Sequence, residues 1–174
     1  YDAMYFAGII ADSKAMSDAD YNRWIEQAYF YMISDYVVAV TLAESDIAQQ
    51  VSDKWIASGD ELKMSAGWHC YCWLIGNRKD EEFSMGKLED MLEVVKQNIN
   101  QVPPRTQIAM NNFITTVGVS YKPLHEKALQ MANDIGHMET KGKGEKSEIL
   151  HAYAEILKQV EKGRIGFKRK YVRC

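Results

Sequence analysis

The residue with the clearest chemical potential in this 174-residue chain is Asp35. It follows the aromatic run Tyr29-Phe30-Tyr31 and precedes the apolar run Tyr36-Val37-Val38. An acid among apolar and aromatic neighbours must have its charge paired, hydrated or used in chemistry. Two interpretations follow: a helix-capping role beside Ser34, which the local sequence favours, and an electrostatic role in a reaction.

A second group of reactive residue types lies in the run Trp68-His69-Cys70-Tyr71-Cys72-Trp73. Residues two apart on a helix point about 200° apart, so among the possible metal ligands of this run only His69 and Cys72 share a side. No second ligand pair follows at zinc-finger spacing, and no glycine loop of the phosphate-binding type is present. The run is therefore typical of a packed helix core, and we predict no metal site and no cofactor.

The chain ends in a basic tail, residues 163–174, in which Phe167 and Tyr171 alternate with Lys and Arg. The chain has a net charge of −3. Lys158–Cys174 contains seven basic residues and one acidic residue, so the remaining residues carry a net charge of −9. Basic side chains interleaved with rings indicate contact with phosphates and bases. An alternative is that the two rings pin the tail against the last helices.

Apolar residues recur at three- and four-residue intervals along nearly the whole chain, which is the spacing of amphipathic helices. We predict no strands and about eight helices, near residues 18–33, 34–43, 46–58, 60–77, 84–99, 104–117, 123–136 and 149–163. Helix pairs then recur about every 40 residues, a spacing that suits either a stack of HEAT-type units or an ordinary helical bundle.

Length and composition set further expectations. The length suits one domain over residues 1–174, and no apolar stretch approaches the roughly 18 residues that a membrane span requires. Three cysteines do not form the even-numbered framework of a secreted domain, so we expect a cytoplasmic location. Because the chain begins at Tyr1 rather than Met, we expect it to lack N-terminal helices.

Four segments together resemble the DNA alkylation repair family, the AlkD-like group of bacterial proteins. They are Lys54-Trp55-Ile56-Ala57-Ser58, the segment 65–77, the segment 109–114 and the tail. The resemblance implies an all-α fold of stacked antiparallel helix pairs, a HEAT-like superhelix, which decides between stack and bundle. It also implies binding of double-stranded DNA, including alkylated DNA, with no cofactor.

The resemblance also assigns site residues. The aromatic-x-x-x-Asp pattern of the family's glycosylases falls on Tyr31 and Asp35, and a second active-site ring falls on Phe113. The family's arginine falls on Ser65, which leaves Lys63 as the nearest cation. Asp35 is then the candidate catalytic residue, and the candidate DNA-binding residues are Tyr31, Lys63, Phe113, Lys168, Arg169 and Lys170.

The chemistry that the resemblance implies is hydrolysis of the N-glycosidic bond of N3- or N7-alkylated purines without base flipping. The carboxylate of Asp35 would oppose the positive charge that grows on the sugar and orient a water, and the two rings would favour the same charge. Whether the chain is an enzyme stays open, because the family's arginine is replaced. The alternative is a non-catalytic helical-repeat scaffold that binds a protein or unusual DNA structures. The net charge of −9 on the first 157 residues leaves this alternative open.

Overall fold

The chain, seen as a computed structural model that describes residues 2–141 and 147–173, divides into two compact units. The first unit contains residues 1–74 and 170–174, and the second contains residues 75–169. Each unit is described by itself below. The assignment of residues 1–174 to one domain stays a prediction.

The first unit is built from helices, and the helix predicted over residues 18–33 is divided, because its first part ends at the C-cap Ala28. The helices are α1 (Asp2–Ile10), α2 (Asp18–Gln27), α3 (Tyr31–Ile33), a π-helical turn (Ser34–Val38), α4 (Ala39–Ala43), α5 (Ala48–Ile56) and most of α6 (Glu61–Asn77). Ser17 caps α2 in a complete capping box with Asp20, as its spacing predicts. Gly59 adopts φ +76° after α5, which is the predicted left-handed stop.

Helix α6 is the central helix of the first unit's core. Residues 65–71 of α6 are all buried, whereas Cys72 and Trp73 at the end of the predicted run are half-buried, so the prediction of packed core on every side holds for the first part of the run. Trp68 and Tyr71 are among the largest fully buried side chains, together with Trp55 and Tyr21. Gly67 permits a close approach to α5, since a Cβ there would lie 2.9 Å from the backbone oxygen of Ser52.

The second unit contains the other helices and one hairpin. They are a 3-10 turn (Asp80–Glu82), α7 (Met85–Asn98), α8 (Pro104–Ser120), a second 3-10 turn (Lys122–Leu124), α9 (His125–Ile135), β1 (Met138–Thr140), β2 (Glu148–Leu150) and α10 (Ala152–Glu161). Ser84 caps α7, and Pro104 occupies the first turn of α8, as predicted. Leu88 and Leu92 of α7 and Phe113 of α8 are fully buried in the core.

The hairpin corrects two predictions. No strands were predicted from the apolar spacing, yet β1 and β2 pair antiparallel with Met138 opposite Leu150 and Thr140 opposite Glu148. Ile149, predicted to lie in the last helix, is in β2, and α10 begins at Ala152. The physical reason is that two three-residue strands are too short to show a period of two, so only their pairing reveals them. Most of the predicted polar loop, residues 142–146, lies outside the described residues.

Apart from that hairpin, the described residues are organised by helices, and the all-α prediction is confirmed. None of the helices that the structure describes is both long enough and apolar enough to cross a membrane.

Candidate nucleic-acid interface

Asp35 lies in the π-helical turn and is fully buried, with an exposed fraction of 0 %. Ser34 Oγ donates a hydrogen bond to Asp35 Oδ1 at 2.8 Å, and Ser65 Oγ donates one to Oδ2 at 2.9 Å. The two hydroxyl donors replace the water that a carboxyl group loses when it is buried. The contact with Ser34 that the local sequence favours is therefore present, although it is a side-chain pair within a helix and not a helix cap.

Helix α6 completes the surroundings of Asp35 with two residues one turn apart. His69 Nδ1 lies 3.3 Å from Asp35 Oδ2 and 3.1 Å from the backbone oxygen of Ser65, and the His69 side chain is nearly buried. Ser65, where the resemblance places the family's arginine, thus satisfies the acid from within the protein. The resemblance placed Ser65 at this site only as the position of the family's arginine, and His69 was not assigned to the site. Their four-residue spacing on one helix face is the signal that could have linked them.

The predicted DNA-binding rings have different surroundings. Tyr31 is partly exposed, and its ring lies edge-on to that of Phe30 with centroids 6.0 Å apart. Phe113, in the second unit, is fully buried and has no exposed surface through which a base or sugar could contact it. The roles of Tyr31 and Phe113 in DNA binding stay predictions, and the burial of Phe113 does not favour its role.

Two of the predicted DNA-binding lysines form ion pairs within the protein. Lys63 Nζ lies 3.2 Å from Glu26 Oε1. Lys168 Nζ lies 2.7 Å from Asp80 Oδ1 and donates a hydrogen bond to the backbone oxygen of Ile75, in the last turn of α6. A cation at the carboxyl end of a helix satisfies an unpaired carbonyl and opposes the helix dipole. Lys168 therefore stabilises the end of α6, and its role in binding DNA stays a prediction.

The other predicted tail residues are exposed. Arg169 donates its backbone N–H to the oxygen of Gly76 at 2.7 Å, and its side chain is exposed. Lys170 Nζ lies 5.0 Å from the centre of the Tyr171 ring, which is 65 % exposed. Phe167 is also exposed. The alternative interpretation, in which Phe167 and Tyr171 pin the tail by burial against the last helices, is therefore not what the structure has.

Arg173 holds the end of the tail within the first unit. Its guanidinium forms an ion pair with Glu44 and donates hydrogen bonds to the backbone oxygens of Gly8 and Ala11, at the carboxyl end of α1. This contact repeats, with arginine, the helix-end role that Lys168 has at α6. Two of the tail's cations are therefore structural, a role that the run of charge alone did not indicate.

A further basic cluster lies in the second unit, where α10 ends. Lys162 and Arg164 flank Gly163, which adopts φ +64°, and both side chains are exposed. The N–H of Gly166 donates to the oxygen of Val119 at 2.7 Å, which holds this turn beside Lys122, also exposed. We call Lys122, Lys162 and Arg164 the basic turn. None of the three has an acidic partner among the described residues, so their charges are available to a polyanion.

Comparison with known proteins connects this chain to curated relatives and to a solved structure. An uncharacterized protein of Listeria innocua is 32 % identical over 99 residues, and one of Listeria monocytogenes is 31 % identical over the same length. These matches cover 57 % of this chain and 41 % of each relative, so the chain spans about two fifths of the curated relatives it matches.

The solved structure is similar over the whole of this chain. It is described as a new family of proteins related to the HEAT-like repeat DNA glycosylases with affinity for branched DNA structures. It superposes with a TM-score of 0.96 at 66 % identity, and the match covers 100 % of this chain and 74 % of that one. The HEAT-like all-α fold that the resemblance implies is thereby confirmed.

The family model described as DNA alkylation repair enzyme matches residues 1–154, which include Asp35 and Ser65 and end in the first turn of α10. With a match over most of its length and a HEAT-like fold, the chain belongs to the DNA alkylation repair enzyme family.

Proposed function

We propose that this protein binds branched DNA through exposed basic side chains and does not release bases. The affinity for branched DNA described for the protein of similar structure, at 66 % identity over the whole of this chain, supports the ligand. The exposed charges of the basic turn support the mode of contact, since lysine and arginine release counterions when they meet phosphates.

The burial of Asp35 is the observation that carries the non-catalytic part of this proposal. A carboxylate that stabilises a developing sugar cation must lie against the reacting atoms and admit water. Here both oxygens of Asp35 accept hydroxyl donors, and the side chain has an exposed fraction of 0 %. The acid therefore acts in packing, where it joins the π-helical turn to α6.

The basic turn is our candidate for phosphate contact in the second unit. Each phosphate neutralised on duplex DNA contributes about −0.9 to the slope of log affinity against log salt. Three contacts from Lys122, Lys162 and Arg164 would contribute roughly −2 to −3. Arg169 and Lys170, both exposed, are further candidates from the sequence analysis.

Binding is tested by fluorescence anisotropy with a four-way junction and with a linear duplex of equal length, across a salt series. We expect tighter binding of the junction than of the duplex. When Lys122, Lys162 and Arg164 are all changed to Gln, we expect the slope of log affinity against log salt to become shallower by roughly 2–3. The matched control changes Lys96 and Lys127, which form ion pairs with Asp134 and with Glu89 and Glu93, to Gln. Equal affinity for the two DNAs, or equal slopes for the two variants, would contradict the proposal.

The glycosylase activity that the family resemblance implies is tested separately. Duplex DNA carrying N3- or N7-methylated purines is incubated with the protein, and the released base is quantified by chromatography. We expect release no faster than in buffer, for the unchanged chain and for Asp35→Asn alike. Release that the unchanged chain catalyses and Asp35→Asn abolishes would refute the non-catalytic proposal and restore Asp35 as the catalytic residue.

A further inference from the structure

Two histidines face each other at the base of the hairpin in the second unit. The pairing of Met138 with Leu150 places His137 and His151 at the next cross-strand position. The ring centroids lie 5.9 Å apart with an angle of 32° between the ring planes, and both side chains are exposed. The two histidines are 14 positions apart along the chain, so their spacing in the sequence does not connect them.

This spacing suits one metal ion between the rings. A cation held at about 2.1 Å by one nitrogen of each ring would place the centroids roughly 5–6 Å apart. The observed separation of 5.9 Å falls in that range. Imidazole nitrogen is a ligand that Cu²⁺, Ni²⁺ and Zn²⁺ prefer, whereas Mg²⁺ and Ca²⁺ prefer oxygen.

We propose that His137 and His151 form a binding site for a divalent transition-metal ion of the class that prefers imidazole. Within the part of the chain that the structure describes, no group of three or more His, Cys, Asp or Glu is placed to hold a metal. In the site that we propose, the two imidazoles are the ligands and water completes the coordination. This site differs from the sequence prediction of no metal, which considered ligands close together along the chain.

The backbone holds the two histidines in place before an ion binds. Gly136, at φ +72°, ends α9 directly before His137, and α10 begins directly after His151. Between them, three residue pairs of the hairpin set the register. Ligands that are already positioned lose less conformational freedom on binding, which favours affinity.

An ion bound here would connect the two strands at the end nearest the helices. A two-stranded hairpin with only three residue pairs has little stability of its own. Binding at both histidines links the ion to the paired state, because the separated strands cannot offer both rings at once. The consequence is a hairpin whose opening depends on the metal.

The first test is calorimetric titration of the full chain with CuCl₂, NiCl₂, ZnCl₂ and MgCl₂ in a buffer that does not chelate metals. We expect one equivalent of Cu²⁺ to bind more tightly than Ni²⁺, and no binding of Mg²⁺. His137→Gln and His151→Gln should each weaken binding at least about tenfold. His125→Gln is the matched control, since His125 Nδ1 already lies 2.6 Å from the oxygen of Gly118, and it should leave affinity unchanged.

Hydrogen exchange separates this site from binding at the cysteines. With Ni²⁺ at 100 times its dissociation constant, we expect amide exchange in β1 and β2 to slow by up to about 100-fold, and exchange in α6 to stay unchanged. The proposal is overturned if no equivalent of metal binds, if the variant with both histidines changed binds as the unchanged chain does, or if protection appears around Cys70 and Cys72 instead.

Discussion

Gly67 sets how closely α6 approaches α5, and its replacement offers the sharpest test of how the Asp35 surroundings are built. A Cβ at this position would lie 2.8 Å from Ile56 Cγ1 and 2.9 Å from the backbone oxygen of Ser52. Gly67→Ala gains about 1 kcal/mol from helix propensity, whereas overpacking costs about 1–3 kcal/mol. Because a backbone oxygen cannot move aside cheaply, the upper part of that range applies. We expect a net destabilisation of about 1–2 kcal/mol.

Gly76, near the end of the same helix, is the matched control. A Cβ there meets nothing within 4 Å, so Gly76→Ala keeps the propensity gain of up to about 1 kcal/mol without a packing cost. The free energies of unfolding of the two variants, measured by urea denaturation, should therefore differ by about 2–3 kcal/mol, with unchanged m-values. If Gly67→Ala is as stable as Gly76→Ala, the close approach of α5 and α6 does not hold Ser65 against Asp35, and this account of the site fails.

Three further changes test other contacts. Arg173→Ala removes the guanidinium from the carbonyls of α1 and from Glu44, and should lower the free energy of unfolding by about 1–3 kcal/mol. An unchanged melting temperature would show that Arg173 does not stabilise the end of α1. Asp35→Ala leaves two buried hydroxyl donors without their carboxylate acceptor, and should lower the free energy of unfolding by about 2–5 kcal/mol in urea denaturation. The folded variant should bind a four-way junction as before, and lost junction binding with unchanged stability would contradict the packing role. Burial raises the pKa of Tyr21 to about 12, so the folded state favours the neutral phenol. The free energy of unfolding should therefore fall as the pH rises from about 10, where the unfolded chain ionises, to about 12. Tyr21→Phe should reduce this alkaline loss of stability, and an equal loss in that variant would refute the assignment.

Helix positions followed from the sequence because the signals that produce them are local. The spacing of apolar residues places α2, α7 and α8, and the Ser17 capping box and the Gly136 stop act within one helical turn. The HEAT-like arrangement came from the family resemblance, since the spacing of helix pairs suits a bundle equally well.

The sequence by itself showed that Asp35 lies among apolar residues and that its charge requires a partner. It did not identify Ser65, which lies 30 positions away on another helix and meets the carboxylate only through the packing of α6. The same holds for Lys168 and Arg173, which belong to a run of charge typical of a solvated arm. Partners that are distant along the chain meet only when the helices pack, so the tertiary structure alone decided which charges are enclosed and which remain open to DNA.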